Sequence, residues 1–162
     1  MNQSTQIQNE AQRTPFNVVG PDAGLHQVVI VGGGAGGLEL ATRLGDKLGK
    51  KGRVAVTLIE RSRTHFWKPH LHEIAAGSMD LSTYELNHLA QSYWHGYRYR
   101  FGEVVGIDRE KRQVITAPYG DEDGEEVIAP RVFRYDTLII SIGSLTNDFG
   151  VPGVKEHAIA LE

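Results

Sequence analysis

No cysteine occurs anywhere in the 162 residues. That excludes disulfide staples, thiolate metal sites, cysteine nucleophiles and dithiol redox centres together. Long apolar runs are also missing. The run Val28-Val29-Ile30-Val31 is followed at once by glycine, far short of the ~20 apolar residues that a membrane helix needs. Neither sign of charge dominates: 17 Lys and Arg stand against 20 Asp and Glu, for a net charge of −3. Such a balance carries no electrostatic footprint for nucleic acid. The first 24 residues have no basic start leading into an apolar core, so they do not read as a secretory signal. They are polar and without period, which predicts a disordered N-terminal tail over 1–24 and a cytoplasmic protein.

What the sequence does have is glycine, 19 in all, and their placement is informative. Gln27-Val28-Val29-Ile30-Val31 has the β-branched density of a strand buried on both faces. It runs into Gly32-Gly33-Gly34-Ala35-Gly36-Gly37, which contains G-x-G-x-x-G at Gly32, Gly34 and Gly37. Leu38, Ala41, Leu44 and Leu48 then form one stripe of a helix. In such a turn Gly32 lets the chain leave the strand sharply. Gly34 leaves room for a pyrophosphate, and Gly37 lets helix and strand pack closely. The helix N-terminus, at Ala35, Gly36 and Gly37, offers free N–H groups to phosphate. Arg53–Ile59 reads as a second strand and ends at Glu60. Glu60 lies 23 residues after Gly37, near the ~20 expected of the acid that holds the adenosine ribose. The pattern predicts a dinucleotide site, and the acid suits NAD and FAD alike.

Beyond residue 80 the pattern departs from a simple NAD-binding half. Leu81–Trp94 reads as a helix, with Leu86, Leu89 and Tyr93 on one side. An antiparallel meander is expected over about 98–135, with a polar turn at Asp121–Gly124. A last buried-type strand is expected at 137–142, leading to Gly143-Ser144. His65, His70 and His72 have no partner pair at metal spacing, so no metal site is expected.

Several segments together carry a family resemblance. They are Val29–Ala41 with its glycine turn, Trp67-Lys68-Pro69-His70-Leu71-His72-Glu73, Gly102–Asp108 and Tyr135–Ile139. Gly143-Ser144, Asn147-Asp148-Phe149 and Pro152–Glu156 complete the set. Over about residues 27–162 the chain resembles the N-terminal FAD-binding segment of type II NADH dehydrogenases, the single-subunit NADH:quinone oxidoreductases. The Trp-Lys-Pro and Asn-Asp-Phe segments are the more specific part of the match.

The resemblance implies a Rossmann-like, three-layer α/β core with an antiparallel meander, incomplete relative to the family. It implies that 25–162 is the N-terminal part of an FAD-binding domain. The NAD-binding domain and the C-terminal membrane-anchoring region are expected to be absent. FAD is the implied cofactor, NADH the co-substrate and quinone the acceptor of a complete respiratory-chain enzyme. That enzyme would sit peripherally on the cytoplasmic face of the inner membrane. Within the implied site, Gly32, Gly34, Ala35, Gly36 and Gly37 carry the pyrophosphate, Glu60 the ribose, and Arg61 borders the adenine. Val104 meets the adenine edge through its backbone, and Ser141, Ile142 and Gly143 pass near the pyrophosphate and ribose. Lys68 would sit beside the flavin as the candidate catalytic residue, since an ammonium there stabilises the anionic reduced ring. The 162 residues alone are expected to be inactive. The alternatives are a non-catalytic FAD- or ADP-binding module and another cysteine-independent oxidoreductase of the same superfamily.

Overall fold

The computed structural model describes residues 17–19, 24–144 and 146–159. Four parallel strands form its centre: β2 (His26–Val31), β3 (Val54–Glu60), β6 (Arg98–Phe101) and β12 (Thr137–Ile140), in the spatial order β12-β2-β3-β6. Helix α1 (Ala35–Leu44) crosses from β2 to β3, and α4 (His88–His95) leads into β6. Against the other face lies an antiparallel meander of β7 (Val104–Asp108), β8 (Gln113–Thr116) and β11 (Arg131–Arg134).

The period of two along β2 divides the core in half. Successive side chains point to opposite faces of a sheet. Val28 and Ile30 accordingly join Leu38, Ala41, Val56, Leu58 and Tyr97 on the helix side. Val29 and Val31 join Ile59, Val114 and Phe133 on the meander side. The apolar run that predicts a strand covered on both faces therefore feeds two cores at once. Ile30 and Leu58 are fully buried, each contributing about 1.5–3 kcal/mol of apolar burial. The three-layer α/β architecture agrees with the expectation from sequence.

Smaller elements complete the chain. They are β4 (Thr64–His65) paired with β5 (Leu86–Asn87), a 3-10 turn at Lys68–His70, α2 (Leu71–Ala75), α3 (Leu81–Tyr84) and α5 (Val154–His157). A hairpin joins β9 (Tyr119–Gly120) to β10 (Glu126–Ile128). Its acidic turn is closed by the Asp121 carboxylate, which accepts from the Asp123 and Glu125 amides. A π turn at Gly45–Gly49 extends α1 and lies directly on the end of α4. A Cβ on Gly45 would sit 2.0 Å from the His95 carbonyl oxygen, and one on Gly49 2.2 Å from that of Gly96. Glycine at both positions lets the two helices touch backbone to backbone.

Four features differ from the sequence reading. Arg98–Phe101 belongs to the parallel sheet, paired with Thr57–Glu60, and not to the meander. It is the outer strand there, so its alternating Arg-Tyr-Arg-Phe pattern suits either assignment. The helix expected over 81–94 is two helices. Asp80 caps the first by accepting from Ser82 N at 2.9 Å, and Asn87 caps the second by accepting from Ala90 N at 3.1 Å. These short polar side chains satisfy helix-start N–H groups that a continuous helix would not leave free. The face of α4 is also reversed. Leu86, Leu89 and Tyr93 are exposed, whereas His88 and Ser92 are buried. Finally, Asn17–Val19 (β1), within the segment expected to be a tail, pairs in parallel with Arg131–Phe133 and covers the open side of β11. The rest of 1–23 lies outside the described residues.

Candidate functional site

The C-terminal ends of β2, β3 and β12 meet at one place. In an open parallel sheet that crevice, where successive connections run to opposite sides, is where ligands bind. From β2 the chain goes one way through α1 to β3, while β12 flanks β2 on the other side. Between them lies the glycine turn.

Its glycines divide into two kinds. Gly32 has φ of +101°, and a Cβ there would lie 2.6 Å from the Ser141 carbonyl oxygen. A Cβ on Gly37 would lie 1.9 Å from the Gly32 carbonyl oxygen and 2.5 Å from Ser141 Oγ. Both are glycine because the fold leaves no room. Gly34 is different. Its backbone is extended, with φ of −65° and ψ of −174°. Nothing lies within 4 Å of where its Cβ would be. The fold accepts any residue there; an approaching ligand would not.

The same space faces the start of α1. Gly34 is the N-cap and supplies no side-chain acceptor, and the first turn holds no acidic residue. Helix-start N–H groups and the positive end of the helix dipole are thus left open to an anion. Ala35 and Gly36 are exposed there, and a Cβ on Gly36 would also meet open space. This is the cradle that a dinucleotide pyrophosphate requires, and the residues present fit it.

Glu60, the last residue of β3, is tied to this turn. Its carboxylate accepts from Gly33 N at 2.5 Å and from Ser62 N at 3.0 Å. A carboxylate has roughly four acceptor sites, so two remain for ribose hydroxyls. The residue after β6 closes the same corner, with Gly102 N donating to the Glu60 carbonyl at 3.0 Å.

Ser141 is also brought in. Its backbone N–H donates to the Val31 carbonyl at 2.8 Å, and its Oγ lies 2.9 Å from the Gly32 carbonyl oxygen. The hydroxyl braces the turn from beneath. Beyond it, the Ile142 side chain is exposed and Gly143 faces open space. Val104 packs its side chain on the meander-side core. Arg61 is exposed next to Glu60. Lys68 stands apart. It opens the 3-10 turn after Trp67, is exposed, and its side chain makes no hydrogen bond or ion pair among the described residues.

One residue at this corner escapes the sequence reading. His88 is 1% exposed. Its ring stacks on Tyr99 with centroids 5.3 Å apart, and His65 lies 6.3 Å away. Burial lowers the pKa of His88, with Glu60 opposing that shift and His65 adding to it. Burial likewise lowers His65, against Glu60, and pushes the Tyr99 phenol up to about 12. The Tyr99 hydroxyl donates to the Ser62 carbonyl at 2.7 Å. A helix signal exists for His88, since it shares a face with Ser92, but the apolar stripe on the opposite face overshadows it.

The chain is similar to known proteins over nearly its whole length. It is 45% identical over 138 residues to the type II NADH:quinone oxidoreductase of Haemophilus influenzae, a match covering 85% of this chain and 31% of that protein. It is 28% identical to the enzyme of the same name from Staphylococcus epidermidis, covering 84% and 31%. The chain therefore spans about a third of the length of the curated relatives it matches. The fold is shared with the structure of NDH2 from Plasmodium falciparum in complex with RYL-552. There the TM-score is 0.67 at 20% identity, over 85% of this chain and 26% of that one. A pyridine nucleotide-disulphide oxidoreductase family model matches residues 26–162. With no cysteine present, the disulphide of that name has no counterpart in these residues; the nucleotide cradle does, and the chain belongs to the pyridine nucleotide-disulphide oxidoreductase family.

Proposed function

We propose that this chain is the nucleotide-holding segment of an FAD-dependent NADH:quinone oxidoreductase. The observation that carries the reading is the open space over Gly34, set between an uncapped helix start and the Glu60 carboxylate. The similarity to proteins named type II NADH:quinone oxidoreductase supports the choice of reaction. When bound, FAD supplies a ring that accepts a hydride and hands electrons on.

The chain's own residues bind and orient. The amides of Ala35, Gly36 and Gly37 hold the pyrophosphate, and Gly32 shapes the turn that aims them. Glu60 takes the adenosine ribose hydroxyls. Arg61 and the Val104 backbone border the adenine. Ser141 fixes the turn, and the Ile142–Gly143 backbone lines the approach. Lys68, exposed and without a partner among the described residues, is the cation available to the flavin ring. NADH and quinone are the proposed partners of the complete protein, which works at the cytoplasmic face of a membrane. No helix among the described residues is long and apolar enough to cross one.

Two results test this reading. Glu60→Ala should weaken FAD binding by about 1–3 kcal/mol through the lost ribose hydrogen bonds, measured by quenching of flavin fluorescence. Equal affinity in the variant and the parent would remove Glu60 from the site. The 162-residue polypeptide with FAD supplied should not oxidise NADH above the rate of free FAD. Its sequence holds a single G-x-G-x-x-G, so nothing in it fixes the nicotinamide at the ~3–3.5 Å that transfer needs. Steady turnover by the purified polypeptide would contradict that division of labour.

A further inference from the structure

His88 occupies a slot that links three parts of the nucleotide site. A Cβ placed on Gly33 would lie 2.7 Å from His88 Cε1 and 2.9 Å from Glu60 Cγ. The ring and the carboxylate stem therefore both lie against Gly33. From the other side the ring is backed by Tyr99, whose hydroxyl holds the Ser62 carbonyl. The His88 amide donates to the Arg63 carbonyl at 3.1 Å, which ties the start of α4 to the loop after Glu60. Yet His88 Nδ1 is buried and has no hydrogen-bond partner. A buried polar atom without a partner costs stability, so its presence at a ligand site asks for a reason.

We infer that His88 is a positioning residue whose neutral ring holds the Gly33–Glu60 contact in the form that receives the ribose, and whose protonation releases it. The inference rests on Glu60 being the ribose ligand. The groups facing the ring are Glu60 from β3, His65 from β4 and Tyr99 from β6; the glycine turn contributes no titratable group, and Ser92, one turn along α4, gives its hydroxyl to the Leu89 carbonyl. An imidazolium in that slot has two N–H donors, and its buried Nδ1 meets no acceptor. The nearest anion is Glu60, whose oxygens already take the Gly33 and Ser62 amides. A charged ring either takes the acceptor sites on that carboxylate that the ribose would use, pulling it from the Gly33 amide, or leaves its slot. Both outcomes loosen the Gly33–Glu60 contact that receives the ribose. Burial holds the charging step below the ordinary histidine value of 6.5, so the site is intact at neutral pH and loosens on acidification.

The test uses the isotope-labelled 162-residue chain, read by NMR from about pH 8 to about pH 5, with ADP as the probe ligand. The Gly33 amide should titrate together with the His88 Cε1–H, and ADP affinity should fall roughly tenfold across the same step. His88→Phe fills the slot with a ring that cannot charge. The Gly33 amide should then lose its acid step. A Gly33 amide that stays still while His88 titrates overturns the inference, as does an unchanged acid step in His88→Phe. If that variant does not fold, the wild-type Gly33 profile decides. Wild-type ADP binding with a flat pH profile would leave the nucleotide site standing and remove His88 from it. No ADP binding at any pH would remove the site itself.

Discussion

Gly37→Ala is expected to cost about 3 kcal/mol or more, a drop in thermal midpoint of roughly 10 °C. A single methyl would enter at 1.9 Å from the Gly32 carbonyl oxygen and 2.5 Å from Ser141 Oγ. Neither neighbour can retreat. Gly32 is held by its amide on the Ile59 carbonyl at 2.9 Å, and Ser141 by its amide on Val31. Relief would have to come from lifting α1 off the sheet, which uncovers Leu38 and Ala41, two buried members of the helix-side core. Thermal unfolding followed by circular dichroism reads the effect directly. A midpoint within a degree or two of the parent would mean that the helix does not sit as close as the structure places it.

Gly34→Val should give the opposite combination. The extended backbone at Gly34 suits a β-branched residue, and its Cβ would enter open space. Stability should fall by no more than about 1 kcal/mol, the usual loss when an N-cap glycine gives way to an apolar residue. Nucleotide affinity should fall at least a hundredfold, about 2.7 kcal/mol, because the branched side chain fills the approach to the helix N-terminus. Titration of FAD or ADP into parent and variant measures this. Unchanged affinity would show that the glycine turn is not where the pyrophosphate lies. The contrast between Gly34 and Gly37 separates function from fold within four residues.

The strands and turn that build this site are legible in sequence for physical reasons. Val28–Val31 is apolar at every position because both faces of β2 are covered. The glycines at 32 and 37 stand where a side chain cannot. Glu60 ends a β-branched strand, which marks both the strand's length and the acid's place. The parts that mislead are those where local pattern fits two answers. Arg98–Phe101 alternates because it is an outer strand with one open face, and alternation alone does not distinguish a parallel edge from a meander. Leu86, Leu89 and Tyr93 read as the buried side of a helix, but they point outward. The end of α4 meets the backbone of Gly45 and its first residue lies against Gly33, and the buried residues of the helix are His88 and Ser92. The breaks at Asp80 and Asn87 carry ordinary capping residues, a signal weaker than the apolar period that runs across them. Lys68 is placed by the family resemblance alone, and no contact among the described residues ties it to the glycine turn.

Whether the glycine turn holds the nucleotide is read by mapping amide shifts as ADP is added to the labelled 162-residue chain. Saturable shifts are expected at Gly33, Ala35, Gly36 and Gly37, together with Ser62, whose amide shares the Glu60 carboxylate. The β9–β10 hairpin with its acidic turn should stay unmoved. Shifts that avoid the Gly33–Gly37 turn, or that persist unchanged in Gly34→Val, would contradict binding at the turn.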